Sequence, residues 1–591
     1  MKAIQIMFDT LKRNYLNAYE HSDVITPNFD RLQRKTVQFD NFFAGSLPCM
    51  PARRELHTGR YNFLHRGWGP IEPFDDSMPE ILKQNGIYTH LVTDHKHYWR
   101  DGGSTYHTRY SSYELIRGQE GDNWKAKVDK EIDIKGLEHL PDFAKKRKQA
   151  SISQDFVNRT YMKQEKDHSL FRTVEAGMGF LKENKDADQW FLQIECFDPH
   201  EPFFVPEKYL KLYGLSKDDF NGWLQYSHDH FSSEKADVMR GYYKALLTMC
   251  DAYLGKVLDF MDENNMWEDT MLIVNTDHGL LLGEHEWWGK NIMPVYNEIA
   301  HIPFFIWDPK LGVQNESRNQ LAQNIDIPAT ILEFFHVDIP EFMMGKPLSS
   351  VIESDEVIRD AALFGYFGSN INVVDGDYIY MRGPMPGREA ELHEYTLMPM
   401  RMNRRFTEDE LQGAELDQSF AFTKGISTLK MRTTEFMSKS YQRFGNKLFN
   451  YRDDPNQKKP LHDPVKEFEM IAKLKQLMKE NEAPESLYRY YGLDRINCVE
   501  DVLAEHKAFN RNQEIVCEDI KFSNHAVKEG YLAMVASIKD KKVELLRASL
   551  KKTSECNAVS DQDLKNWILE HTDKQDQAFI FYQLELALRG D

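Results

Sequence analysis

A chain of 591 residues is longer than one hydrophobic core usually serves, so two domains, or three, are expected. With 41% hydrophobic and 12% aromatic residues it can bury a large core, which excludes disorder over most of its length. A formal charge of −19 excludes a nucleic-acid or anionic-membrane surface, and an anionic substrate must be drawn in by local positive charge or a metal. The opening MKAIQIMFDTLKR has an apolar run that stops at Asp9, too early for a signal-peptide core, and no run of about 18 apolar residues follows. Cysteines at 49, 196, 250, 498, 517 and 556 show no paired spacing, so no disulfide framework, no membrane contact and a cytoplasmic location are expected.

In chain order, short apolar runs predict strands over Ala3 to Phe8, Tyr88 to Thr93, Trp190 to Phe197, Met271 to Thr276 and Ile302 to Trp307. Between them SMPEILKQNG, Ser77 to Gly86, has a Ser cap, helical spacing and a closing Gly, and a longer helical pattern runs over 238–265. Alternating strands and helices predict an α/β domain around a mainly parallel sheet flanked by helices, set at residues 1–369. INVVDGDYIYMRGP, from near Asn370, reads as strand, turn and strand, the start of a smaller α+β subdomain at 370–493. Residues 494–591 are charged and amphipathic, and read as a helical accessory extension through which the chain could form a homo-oligomer.

The polar residues gather where four of these strands end. The first runs into Asp9, the second into TDHKH, the third into FDPHEPF and the fourth into NTDHG. Ligands of open α/β sheets bind at the carboxyl ends of strands, which makes these positions a predicted site. A lone Asp after a strand is usually a turn former, but Asp9, Asp277 and His278 together suit a divalent cation. Oxygen ligands favour Ca²⁺ or Mg²⁺, and the imidazole leans toward Mn²⁺ or Zn²⁺. A further stretch, GSLPCMPARRELHTGRY, puts Cys49 between two prolines. Pro51 suits the first turn of a helix that Gly59 closes, so Cys49 is expected at its N-terminal end, where the dipole lowers a thiol's pKa. Arg53, one turn on, is placed to fork-bind a tetrahedral oxyanion.

CMPAR, a match to C-x-P-x-R, followed by LHTGR, resembles the signature of type I sulfatases in the alkaline phosphatase superfamily. TPNFDRLQRKTVQFDNFF, NTDHGLLLGEHEWWGK, EIAHIPFFIWDP and LFNYRDDPNQKKPLHD look like this family in the same order, over roughly residues 1–493. The resemblance implies an alkaline-phosphatase-like fold and a sulfuric ester hydrolase. In such an enzyme Cys49 is converted by a maturation enzyme to formylglycine, whose hydrate attacks a small sulfated or phosphorylated ester. It also implies one divalent ion, Ca²⁺ first and Mn²⁺ second, held by Asp9, Cys49, Asp277 and His278. Arg53, His97, His200 and Lys290 take the catalytic places: Arg53 beside the hydrate, Lys290 on the sulfate and bridging oxygen, His200 on the ester oxygens or the leaving group. Three departures stand out. Thr10 follows Asp9 where many members have a second aspartate, Asp277-His278 replaces Asp-Asn, and TDHKH replaces a Gly-Lys-Trp-His segment. The Asp-His pair is similar to that of phosphonate monoester hydrolases, so phosphonate monoester or phosphodiester hydrolysis is the second reading. A non-catalytic binding protein on a hydrolase fold is the third.

Overall fold

The computed structural model describes residues 1–507 apart from 21, 129–141, 229–230, 418 and 434–443. The chain divides into units Met1–Asn497 and Cys498–Asp591. The second unit is described only through residue 507 and is helical over 499–507. The amphipathic stretches expected to carry an oligomer contact lie outside the described residues.

The first unit is built on a large sheet. Its strands are β1 (Lys2–Phe8), β2 (Val37–Phe39), β4 (Tyr88–Thr93), β5 (Ser112–Leu115), β6 (Trp190–Cys196), β7 (Thr270–Asn275), β8 (Phe304–Trp307) and β9 (Glu316–Arg318). The short strand β3 (Ser46–Leu47) belongs elsewhere. The order across the large sheet is β9-β2-β8-β7-β1-β6-β4-β5. From β7 to β5 all neighbours are parallel. β8, expected among the parallel strands, runs antiparallel to both β7 and β2. Its apolar run hides direction, because a strand buried on both faces reads the same either way.

Alternation places the core. In β1, Ala3 and Met7 join one hydrophobic cluster while Ile4, Ile6 and Phe8 join the other. Each face is then covered by helices. The 31-residue α5 (Ser233–Glu263), with α1 (Pro27–Lys35) and α4 (Ser169–Asn184), packs on the side of Ile4. Helices α2 (Cys49–Thr58), α3 (Met78–Gln84) and α6 (Asp326–Phe334) pack on the side of Ala3. This is the α/β architecture expected from the sequence, with helices on both faces of a mostly parallel sheet.

A five-stranded sheet follows, of β10 (Ala362–Tyr366), β11 (Ile371–Val374), β12 (Tyr378–Arg382) and β13 (Lys447–Asn450), in the order β13-β12-β11-β10-β3. It draws on both sides of residue 370. Its edge strand β3 pairs parallel to β10, Leu47 opposite Tyr366, and leads directly into α2. The helix that starts at Cys49 is therefore seated between the two sheets.

Candidate active site

Four ends converge. β1 and β7 are parallel neighbours with Met7 opposite Asn275, so the residues just past them, Asp9 and Asp277, emerge at one edge of the sheet. Asp9 is held there by its N–H, which donates to the Cys196 carbonyl at the end of β6 at 2.9 Å. Helix α2 enters the same edge with Cys49 in its first turn, capped by Pro48 and ended by Gly59 at φ +59. Ligand atoms of Asp9, Cys49, Asp277 and His278 all lie within 4.8 Å of one another, and all four residues are buried. His278 Nε2 is 3.2 Å from Cys49 Sγ, and its Nδ1 is 2.9 Å from the Gly279 carbonyl. With the proton on Nδ1, the Nε2 lone pair faces the cluster, the tautomer a cation ligand needs. Gly279 is required by close approach: a Cβ there would lie 2.1 Å from the Glu298 carbonyl oxygen.

Arg53 lies at the centre of the cluster. Its Nε donates to Glu195 Oε1 at 2.7 Å, Nη1 to Asp277 Oδ2 at 2.7 Å and to the Cys49 carbonyl at 3.0 Å, and Nη2 to Asp9 Oδ2 at 2.8 Å. The fork expected to face a substrate oxyanion is instead turned inward and holds three buried carboxylates in place. Glu195 lies in β6, where its other oxygen accepts from Tyr98 Oη at 2.8 Å. It was not among the candidates, and a lone acid inside the apolar run WFLQIEC is the signal that could have found it.

Around this centre stand the remaining predicted residues. Lys290, buried, donates from Nζ to Thr10 Oγ1 at 2.9 Å and sits 4.0 Å from Asp9 Oδ1 and 3.9 Å from Glu201 Oε2. Burial opposes its charge, but Cys49 and the carboxylates Glu201, Asp9 and Asp277 outweigh it and raise its pKa to about 12. His200 is bonded through Nδ1 to the Glu201 carbonyl, and burial takes its pKa down to about 3, so its imidazole is neutral with the proton on Nδ1. Of TDHKH, it is His95 that meets the cluster, Nε2 lying 3.4 Å from Asp9 Oδ2. His97 lies outside that contact. Its ring is 5.1 Å from His95 and 5.0 Å from Trp68, with Nδ1 buried and unpartnered among the described residues. Lys96 pairs with Glu120 at 2.5 Å.

The electrostatics correct one expectation. Burial, and after it the charge of Asp9, push the Cys49 thiol well above its usual range, outweighing the pull of Lys290 and Arg53. The helix N-terminus does not make it a ready thiolate. Asp9 goes the other way: burial raises it, but Arg53 above all, with the His95 hydrogen bond and Lys290, holds its carboxyl well below the usual range. Two carboxyl groups, an imidazole offering a lone pair and a fourth group at residue 49 are a donor set that fits one divalent cation of the harder kind. The site therefore brings together a cation cradle, a side chain at its rim and an ammonium one hydrogen bond away, the elements needed to attack and stabilise a tetrahedral anion.

Comparisons with known proteins agree with this geometry. A family model described as Sulfatase matches residues 2–337. The chain is 22% identical over 386 residues to an arylsulfatase of Clostridium perfringens, an alignment covering 59% of this chain and 78% of that one. It is 25% identical over 378 residues to the multifunctional alkaline phosphatase superfamily protein PehA of Trinickia caryophylli, covering 55% and 70%. Among solved structures, one in complex with its substrate D-glucosamine-2-N,6-O-disulfate superposes with a TM-score of 0.56 at 15% identity, over 82% of this chain and 99% of that one. The phosphonate monoester hydrolase of Agrobacterium radiobacter gives 0.55 at 17% identity, over 81% and 96%. The chain belongs to the sulfatase family, enzymes of the alkaline phosphatase superfamily that hydrolyse sulfuric esters.

Proposed function

We propose that this sulfatase cleaves the sulfate monoester of a small sugar or aryl alcohol, using a formylglycine made from Cys49 and one divalent cation held by Asp9, Cys49, Asp277 and His278. The observation that carries the reading is the meeting of those four ligand atoms within 4.8 Å, with Lys290 Nζ one hydroxyl away. When bound, the cation supplies charge stabilisation to an oxygen nucleophile, and the hydrated aldehyde at residue 49 supplies that nucleophile. A thiol pushed up by burial is a poor nucleophile in itself, which fits a residue meant to be converted.

The chain's own residues then have separate tasks. Arg53 fixes Asp9, Asp277 and the Cys49 carbonyl in one rigid set, so the cradle is built before substrate arrives. Lys290, charged and close to the rim, neutralises an anionic oxygen of the ester as its charge grows. His200, neutral with its Nδ1–H already given to the Glu201 carbonyl, contacts the ester oxygens only once Nε2 has taken a proton from solvent, and that proton is then the one it passes to the departing alkoxide. His97, with Nδ1 unpartnered, is the group of TDHKH left to meet the alcohol part of the substrate.

The cation is expected to be Ca²⁺, with Mn²⁺ the alternative, since the single imidazole is compatible with both. Phosphonate monoesters are the second reading, favoured by the Asp277-His278 pair and by the likeness of fold to a phosphonate monoester hydrolase. A cytoplasmic location is supported by the four described cysteines, Cys49, Cys196, Cys250 and Cys498, all free.

Peptide mass spectrometry across Cys49, on protein made with a maturation enzyme, tests the chemistry before any substrate is chosen. Conversion of the thiol to the aldehyde is expected, together with turnover of 4-nitrophenyl sulfate that Cys49→Ala abolishes. An unconverted thiol in fully active protein would overturn the proposal. A higher kcat/KM on phenyl phosphonate esters than on aryl sulfates would move the substrate to the second reading.

A further inference from the structure

Thr10 stands where the family resemblance leads one to expect a second aspartate, and it is strained. It is buried, β-branched and at φ +64, a region such residues rarely enter. Every neighbour holds it there. Its N–H donates to Asp277 Oδ1 at 3.1 Å and its carbonyl accepts from Tyr243 Oη at 2.9 Å. The two residues that follow are also tied, Leu11 N–H to Thr276 Oγ1 at 3.1 Å and Lys12 N–H to Tyr243 Oη at 2.8 Å.

The strain aims one hydroxyl. Thr10 Oγ1 donates to Asp9 Oδ1 at 2.6 Å and accepts from Lys290 Nζ at 2.9 Å. An ammonium only donates and an ionised carboxylate only accepts, so the direction of this relay is fixed. It leaves Lys290 4.0 Å from Asp9, beyond a direct hydrogen bond. Remove the hydroxyl and the ammonium closes onto Asp9, replacing a neutral donor on Oδ1 with a positive charge that competes with a cation for the carboxylate, and drawing that charge away from the rim.

We propose that Thr10 is a positioning residue whose hydroxyl holds Lys290 one hydrogen bond away from Asp9, leaving Asp9 to the cation and Lys290 to the anionic oxygen of the substrate. The proposal rests on the reading of Asp9 as a cation ligand and Lys290 as the substrate-facing charge.

The test uses the full-length matured protein with Thr10→Ser, Thr10→Val, Thr10→Gly and the double variant Thr10→Val/Lys290→Met. Three quantities are read: Mn²⁺ affinity by electron paramagnetic resonance without substrate, kcat and KM on 4-nitrophenyl sulfate, and Tm of the metal-free protein. Thr10→Ser keeps the hydroxyl and stays within about threefold of wild type in affinity and kcat. Thr10→Val loses about tenfold or more in Mn²⁺ affinity and about 10- to 100-fold in kcat. Thr10→Gly suits the backbone better, so it shows the same two losses with a Tm no lower than wild type. In the double variant Mn²⁺ affinity returns to the wild-type value while activity stays lost, because the ammonium that blocked Asp9 is gone.

Thr10→Val or Thr10→Gly that binds Mn²⁺ and turns over substrate like wild type overturns the proposal and leaves the reading of the site intact. So does a double variant whose affinity stays low. Wild-type protein that binds neither Mn²⁺ nor Ca²⁺ overturns both.

Discussion

Arg53 offers one positive charge to three carboxylates, Asp9, Asp277 and Glu195, and none of the four side chains is more than 1% exposed. Coulomb attraction in such surroundings is strong, but so is the cost of removing the ions from water, and breaking one partner leaves the others uncompensated. Arg53→Met, close in volume, is therefore expected to lower the stability of the metal-free protein by about 3–5 kcal/mol. Millimolar Mn²⁺ should restore part of the loss, since a divalent cation supplies charge to the same carboxylates and binds only the folded state. Urea unfolding with and without Mn²⁺ measures both effects; equal losses in the two conditions would contradict the shared-charge account. The same residues mark the limit of sequence reading. Asp9, Asp277 and His278 are legible because each lies within three residues of an apolar strand that has to end at the sheet edge. The inward fork of Arg53 is not, because helix phase gives its direction but not which carboxylates wait there. His95 and His97 differ only by a short 3-10 turn, Lys96–Trp99, which sends one ring to Asp9 and the other to Trp68.

Helix α2 carries Cys49 and is docked by an acid of its own. Glu55 is buried, with Oε1 accepting from Ser46 N–H at 2.5 Å, which ties the helix to strand β3. Gly45 is needed beside it, since a Cβ there would lie 2.5 Å from Glu55 Oε2. Burial raises the Glu55 pKa from 4.5 to about 8, so the folded protein keeps a proton that the unfolded chain releases. Between those two values the unfolded state binds fewer protons, and stability falls as pH rises through the window. Glu55→Gln removes this dependence. It is expected to match wild type at pH 5 and to exceed it at pH 8 by roughly 2–4 kcal/mol, read from urea unfolding at the two pH values. Parallel slopes for the two proteins would show that Glu55 is ionised in the native state. At this scale the sequence is most informative for long elements: β1, β4, β6, β7 and α5 carry continuous apolar or helical patterns. β2, β3 and β9 have two or three residues each, too few for any period to register. Their pairing is decided by distant partners, as when β3 joins β10 more than 300 residues later.

For the whole molecule, net charge and local charge pull in opposite directions. The chain carries −19 overall, yet its substrate is an anion and its site offers Lys290 and a cation cradle deep in the fold. Long-range forces act first, while the ester is still in solvent, and are screened over about 8–10 Å at physiological salt. Short-range forces act after entry, between buried groups that salt barely reaches. Added salt should therefore weaken the repulsion far more than the capture. For a sulfate monoester, kcat/KM is expected to rise about two- to threefold between ~10 and ~150 mM NaCl, with kcat itself nearly constant. A doubly sulfated sugar, carrying twice the charge through the same field, should show the steeper rise, and a neutral inhibitor of similar size none. Stopped assays at fixed pH and fixed cation concentration measure this directly. A fall in kcat/KM with salt would mean that positive residues at the mouth overrule the global field, and that the approach to Lys290 is a funnel rather than a barrier.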